Sequence, residues 1–536
     1  MRSALGFFLS VAAAIIAVWW WLGLPVAMPP SPLAADEKLP CASYTPFRTT
    51  SDLGEFTPRA TAEMIDGDLA ALSRVTGCVR TYSTDLGVEQ VPEIARRHGM
   101  TVLLGIWLGR DAAKNRSEID AAVALAGRYP DVVRMLVVGN EVLLRGEMAA
   151  GTLAGYIRDV KGRVTQPVTY ADVWEFWLRN RSVADAVDVV TVHMLPYWED
   201  IPIPAAAATS HVDAVHKMVA EAFPGRDILI GEVGWPSAGR MREGALPSPA
   251  NAARFIQDMM ATAKRGGYRL NIIEAFDQPW KRRFEGTVGG YWGLIGADGS
   301  TIKFVWGAPV SNHPRWLVQA LAGIVFAAVI FAIALAFRAS EPPARRMDPW
   351  IGVATIALAA GTLIGWTVEN ALIESLGPIG WAVSLVMAAL AVLSPLAGAA
   401  ALMSGIAPPR FAALLGAAPS PDTRLAQWLG YLALVLCVVA VAIALGLAFD
   451  PRYRDIPFAP LTAAAVPFVV LALLGPAPQP PRGLAEMLAA AVLASSALFI
   501  AWNEGVQNWQ SLWLCGVFLA LAVTLFGAPA ARRQGS

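Results

Sequence analysis

Two glutamates stand at the ends of two apolar runs. VVGNE delivers Glu141 into a turn directly after Asn140, and ILIGEVGWPS delivers Glu232 just ahead of Trp235. Each run is short, rich in Val and Ile, and bounded by Gly or Pro, the pattern of a buried strand. One carboxyl group at the end of each of two strands suits glycosidic chemistry: one protonates the leaving oxygen, the other attacks carbon. Burial under a sugar ring raises a carboxyl pKa toward that of a useful acid. Asn140 is placed to donate to a sugar 2-hydroxyl, a contact that strengthens in the transition state.

The elements that must hold these residues alternate along the chain. Strand-like runs end near Tyr44, Thr81, Ile106, Val138, Tyr170, His193, Ile230 and Phe276, with amphipathic helical stretches such as SEIDAAVALAGRY and NAARFIQDMMATAKRG between them. Eight strand–helix repeats in about 280 residues predict an α/β fold, a (β/α)8 TIM barrel. An open doubly wound sheet is the alternative, but no G-x-G-x-x-G follows the first strand. Active sites of such barrels lie at the carboxyl ends of the strands. In this parse Glu141 follows strand four, Tyr197 and Trp198 follow strand six, Glu232 ends strand seven, and Asp277, Trp280 and Lys281 follow strand eight.

Composition divides the chain in three. Of 536 residues, 55% are hydrophobic, too many for an ordinary soluble protein. Residues 30–312 carry 30 Lys+Arg and 33 Asp+Glu; this near-neutral balance argues against nucleic acid as a partner and suits a neutral polymer. The remainder is apolar: runs at 5–24, 316–337, 350–368, 378–404, 425–448, 457–475, 484–502 and 509–528 each approach the ~20 residues that span a bilayer. The expected division is a transmembrane anchor over 1–29, an extracytoplasmic barrel over 30–312, and an all-α domain of seven further spans over 313–536, eight spans in total. With the N-terminus in the cytoplasm, Arg338, Arg345, Arg346, Arg410, Arg424, Arg482 and the tail ARRQGS fall inside, as positive-inside asymmetry requires; Arg452 and Arg454 are the exception. A cleaved signal peptide is the alternative for the first run. Of the four cysteines, Cys437 and Cys515 lie in spans. Cys41 and Cys78 lie in the external domain, as a disulfide or as two buried thiols. The five histidines show no ligand spacing, so neither a metal nor a cofactor is expected.

Residues 40–305 resemble glycoside hydrolase family 17, the β-1,3-glucanase and glucanosyltransferase family, through VRTYSTD, LLGIWLGRD, VVGNE, HMLPYW, GEVGWPS and EAFDQPWK. The resemblance implies that Glu141 is the acid/base and Glu232 the nucleophile of a retaining enzyme, and that Tyr197 either bonds the nucleophile or serves in packing. Arg80 either orients Glu232 or makes a surface ion pair. Lys281 and Glu285 fall where plant members carry a lysine and a glutamate, although FDQPWK departs from the plant pattern. Aromatics near the mouth (Trp174, Trp177, Trp198, Trp235 and Trp280) are candidate sugar platforms, Trp174 and Trp177 foremost; Glu274 and Glu199 read as structural or rim residues. The membrane-tethered bacterial type of the family implies a multi-pass inner-membrane protein with its barrel on the periplasmic side. Its expected activity is transglycosylation that elongates β-1,3-glucan or branches it through 1,6 linkages, with a glucan exporter or synthase as possible partner. Hydrolysis of β-1,3-glucan, and non-catalytic glucan sensing, are the alternatives.

Overall fold

The computed structural model describes residues 2–47, 59–338, 349–418, 421–475 and 483–526. Two compact units emerge: Val26–Val310, and Met1–Pro25 together with Ser311–Ser536.

Val26–Val310 is a closed barrel of eight parallel strands in sequence order: β1 Ala42–Ser43, β2 Cys78–Arg80, β3 Thr101–Ile106, β4 Val133–Asn140, β5 Val168–Val173, β6 Val189–His193, β7 Asp227–Val233 and β8 Arg269–Ile272. Helices lie between the strands, and side-chain caps start them where the sequence allows. Thr61, Asp111 and Ser248 each accept from the first turn of the helix that follows, satisfying amides that have no partner within the helix. Strand side chains alternate between faces. Val79 packs into the large apolar core, whereas its neighbour Cys78 belongs to a separate cluster with Cys41, Leu103, Met135, Val137, Ala171, Val189 and Leu229. This second cluster fills the barrel interior below the mouth. Cys41 and Cys78 are joined there by a disulfide, which settles the two readings of that pair.

The eighth strand is shorter than the sequence suggests. It ends at Ile272 rather than near Phe276: Ile273 and Ala275 still donate to Val233 and Ser43, but Glu274 bonds Trp292 and Leu294 and the Ala275 carbonyl accepts from Ile295, so the regular ladder stops. The unit begins and ends on a single antiparallel bridge in which Val26 and Val310 bond each other in both directions, at 2.8 and 3.0 Å.

The other unit is helical. Seven helices among the described residues are long and apolar enough to cross a bilayer: Ser3–Gly23, Trp316–Ala336, Pro349–Glu374, Gly377–Ser404, Arg424–Phe449, Leu484–Glu504 and Trp509–Phe526. The eighth expected span, Phe458–Leu474, is apolar but has only 17 residues. Pro457 precedes it and an extended Gly475 closes it. At 1.5 Å per residue it rises roughly 25 Å, short of a ~30 Å hydrocarbon core. Arg345, Arg346, Arg482 and the tail ARRQGS, four of the markers used to orient the spans, lie outside the described residues. Within this unit the Ser311 hydroxyl donates to the Gly23 carbonyl at 2.9 Å.

Candidate active site

The strand ends bring a dense polar cluster to the barrel mouth. Its centre is Arg80, the last residue of β2, only 1% exposed. One terminal nitrogen, Nη1, donates to the Gly231 carbonyl at 2.7 Å and to Glu232 Oε1 at 3.1 Å. The other, Nη2, donates to Asn140 Oδ1 at 2.6 Å. The guanidinium therefore ties β4 to β7 beneath the mouth and is no surface ion pair. With its Oδ1 taken, Asn140 presents its NH2 group as the remaining donor.

Glu141 is aimed by its backbone. Gly139 has φ 90°, where a Cβ would also come within 2.8 Å of the Val142 side chain. Glu141 itself has φ 54°, a left-handed conformation that costs a non-glycine residue about 1–3 kcal/mol. The turn is held by what surrounds it. The Glu141 amide donates to Ala171 at 2.8 Å, Leu143 donates to the Tyr170 hydroxyl at 3.0 Å, and Arg145 donates to the Leu108 carbonyl at 2.7 Å while lying over the Trp107 ring. Asp172 receives the Tyr170 hydroxyl. Burial raises the Asp172 carboxyl pKa.

Glu232 lies in β7, 5% exposed. Besides Arg80 it accepts from Tyr82 at 2.8 Å. Tyr82 is also 2.9 Å from the Ser43 hydroxyl, and Asn271 donates to that same hydroxyl at 2.8 Å. Burial and the Glu232 charge push the Tyr82 phenol well above its ordinary value, so it remains a donor. His193, the last residue of β6, stands between the two glutamates. Its Nδ1 is 2.8 Å from Glu141 Oε1 and its Nε2 is 3.6 Å from Glu232 Oε1. Glu141, His193 and Glu232 each offer an atom within 4.8 Å of the other two, close enough to suggest a cation site. Arg80 Nη1, 3.1 Å from Glu232 and 3.2 Å from His193, already brings a positive charge there, so the cluster does not suit a metal.

Burial acts to raise the Glu141 carboxyl pKa, but the hydrogen bond with His193 and the charges of Arg80 and Arg145 outweigh it and hold the group below its ordinary value. The expectation of a raised pKa from burial alone is corrected by these neighbours. Glu274 is buried at 1% exposure and is pushed up to about 7, even though Lys281 donates to it at 2.8 Å. Burial opposes the Lys281 charge, but Glu274 and Glu285 hold its pKa above the usual value.

The remaining expected residues sort by burial. Tyr197 does not reach Glu232: its hydroxyl donates to the Arg240 carbonyl at 3.0 Å within a cluster of Trp198, Trp235 and Trp292. The phenol on Glu232 belongs to Tyr82, two residues after Arg80 along the same strand exit. Trp177 and Trp235 are core residues at 1% exposure, their indoles bonded to the Thr191 and Leu246 carbonyls, so neither is a sugar platform. Trp174 is half-buried and donates to Glu199 Oε1 at 3.1 Å, which also pairs with His211 at 3.0 Å. Trp198 stacks parallel to Trp292 at 6.5 Å. Trp280 is half-buried and donates to Gln278 at 2.7 Å. Trp177→Ala is therefore expected to destabilise the barrel by about 3–5 kcal/mol, measured by urea unfolding. Trp174→Ala should change stability by less than about 1 kcal/mol while raising KM for a β-glucan a few-fold to roughly tenfold.

Residues 41–293 match the model of the BtgE/BtgC glycoside hydrolase domain. Among curated proteins, a probable beta-glucosidase btgE of Aspergillus fumigatus is 28% identical over 261 residues, covering 47% of this chain and 44% of the relative. A glucan 1,3-beta-glucosidase of Candida albicans is 27% identical over 261 residues, covering 45% of this chain and 84% of the relative. The chain spans less than half the length of the first of these curated relatives. Among solved structures, a glycoside hydrolase family 17 β-1,3-glucanosyltransferase from Rhizomucor miehei is 26% identical, covering 49% of this chain and 94% of that one, with a TM-score of 0.43.

Proposed function

We propose that this chain is a membrane-anchored, retaining β-1,3-glucan glucanosyltransferase that remodels glucan outside the cytoplasmic membrane. The observation that carries the reading is the pair at the mouth, with carboxylate oxygens of Glu141 and Glu232 within 4.8 Å. Retaining glycosidases hold their carboxyl groups about 5–5.5 Å apart, whereas inverting ones leave about 6.5–9.5 Å for a water. Glu232, held by Arg80 and Tyr82, is the nucleophile, and Glu141 is the acid/base. Glu232 attacks the anomeric carbon as Glu141 protonates the leaving oxygen; an acceptor then displaces Glu232 and returns a proton to Glu141. The glucan specificity follows that of the glucan 1,3-beta-glucosidase of Candida albicans, to which the chain is similar.

Water and a sugar hydroxyl resolve the same covalent intermediate, so the two carboxylates serve hydrolysis and transfer alike. The membrane unit favours transfer: a degrading enzyme gains little from a bundle of apolar helices, whereas an enzyme acting on glucan as it leaves an exporter does. If Phe458–Leu474 also crosses, the spans among the described residues number eight, which puts both chain ends in the cytoplasm of a bacterial inner membrane and the barrel on the periplasmic side. Non-catalytic sensing fits less well, because a sensor has no need of two carboxylates at retaining separation.

Product analysis tests the proposal. The detergent-solubilised full chain, incubated with laminari-oligosaccharides, is expected to yield chains longer than the substrate or new 1,6 linkages, read by mass spectrometry and methylation analysis. Glucose and shorter fragments alone would replace transferase with hydrolase, and an unchanged substrate would remove both.

A further inference from the structure

We propose that His193 is a positioning residue that fixes the acid proton of Glu141 on Oε2, by donating from Nδ1 to Oε1 while Arg80 occupies its Nε2. The inference rests on the glycosidase reading above and adds to it a residue whose role is to assign one oxygen of the acid/base to each task.

The imidazole is wholly buried, and its space is kept by a glycine. A Cβ on Gly231 would come 3.2 Å from His193 Cδ2 and 3.4 Å from its Nε2, and 2.4 Å from the Thr191 methyl group. The ring therefore has little room to turn. Arg80 Nη1 lies 3.2 Å from Nε2. A guanidinium only donates, so a hydrogen bond across this contact, shared with those to Gly231 and Glu232, has Nε2 accepting and places the ring proton on Nδ1. Nδ1 in turn faces Glu141 Oε1 at 2.8 Å. The partner on one ring nitrogen thus decides what the other nitrogen offers the carboxyl group.

Oε1, which accepts from His193, is then the carbonyl oxygen of the protonated acid, and the hydroxyl is Oε2. As Glu232 bonds to the anomeric carbon and the glycosidic C–O bond breaks, the Oε2 proton moves to the leaving oxygen. The resulting carboxylate keeps the bond from His193. In the second step the acceptor hydroxyl bonds to the anomeric carbon, the Glu232 ester bond breaks, and the acceptor's proton goes to Oε2. His193 neither gains nor loses a proton. The charged and titratable groups facing Glu141 are His193 from β6, Arg80 from β2, Arg145 beyond β4, Tyr170 and Asp172 from β5, Glu232 from β7, and Glu285 beyond β8. Among the described residues only His193 donates a side-chain hydrogen bond to it.

The test uses the full chain in detergent and two donors: a laminari-oligosaccharide, and an aryl β-glucoside whose leaving group departs without protonation. His193→Leu removes the donor, which favours the protonated form of Glu141. The alkaline limb of kcat/KM should move up by about one pH unit, and kcat/KM on the oligosaccharide should fall about 10²-fold. On the aryl donor the fall should be less than about tenfold, because acid catalysis is not needed there. His193→Asn, whose amide nitrogen falls near the Nδ1 position, should recover most of the oligosaccharide activity and the original alkaline limb. If His193→Leu does not fold, His193→Gln replaces it, since its amide nitrogen falls nearer the Nε2 position. An unmoved alkaline limb, equal losses on both donors, or an Asn variant no better than Leu would overturn the positioning role and leave the glycosidase reading intact. A wild-type chain that turns over neither donor would remove both.

Discussion

Glu232→Ala is expected to lower turnover of laminari-oligosaccharides by on the order of 10⁴-fold or more, about 5 kcal/mol of lost transition-state stabilisation. On the proposed assignment Glu232 is the nucleophile, and its removal opens the face of the sugar that it occupies. With an aryl β-glucoside as donor, added azide should enter from that face, restore turnover and yield the α-glycosyl azide. Glu141→Ala should behave in the opposite sense. It keeps the nucleophile, so an aryl donor still forms the covalent intermediate, which azide then resolves to the β-glycosyl azide. The stereochemistry of the two products, read by NMR, assigns the roles independently of rate. β-Azide from the Glu232 variant would reverse the assignment, and no rescue in either variant would count against a covalent intermediate.

Arg80→Met should be nearly as damaging, for a different reason. The guanidinium is buried and bonds Glu232, Asn140 and the Gly231 carbonyl, with His193 at 3.2 Å. Its removal leaves a buried carboxylate without its counter-charge, which costs about 3–5 kcal/mol. Activity should fall at every pH. Arg80→Lys should recover little, because one ammonium cannot reproduce a planar fork that reaches β4, β6 and β7 at once. Urea unfolding and the pH profile of kcat/KM check both expectations. Wild-type stability in the Met variant would show that Arg80 is not the tie between the strands.

The barrel was legible because its strands are short apolar runs with β-branched residues, and because each chemical residue falls at a run's end. Glu141 and Glu232 could be read as a pair from their contexts alone. The aromatic assignments depended on direction, which spacing does not encode. Trp177 lies in a short helix that turns its indole into the core toward Thr191, while Trp174, three residues earlier, reaches Glu199. Tyr197 and Tyr82 each follow a strand near the mouth. Which of them meets Glu232 is set by the closure of the barrel, and Tyr82 on the exit of β2 is carried there beside Arg80. The role of His193 is invisible to the mutual spacing of the histidines, which speaks only to metal ligation. Its partners come from β2, β4 and β7, separations of 113, 52 and 39 residues. The strand-final position of the histidine in DVVTVH was the available signal. In the helical unit, hydropathy located every apolar run but could not show that Pro457 and Gly475 shorten one of them.

The bridge between Val26 and Val310 gives the barrel the geometry of a cassette. The chain enters and leaves the barrel at adjacent residues, and on the helical side Gly23 and Ser311 are likewise neighbours. Excision of the whole segment would leave two ends that a very short linker can rejoin, and the excised piece would begin and end at one place. The insertion thus asks little of either host or guest: each hydrophobic core is completed from its own side of the junction. A different domain with adjacent termini could occupy the same junction without reordering the helices around it.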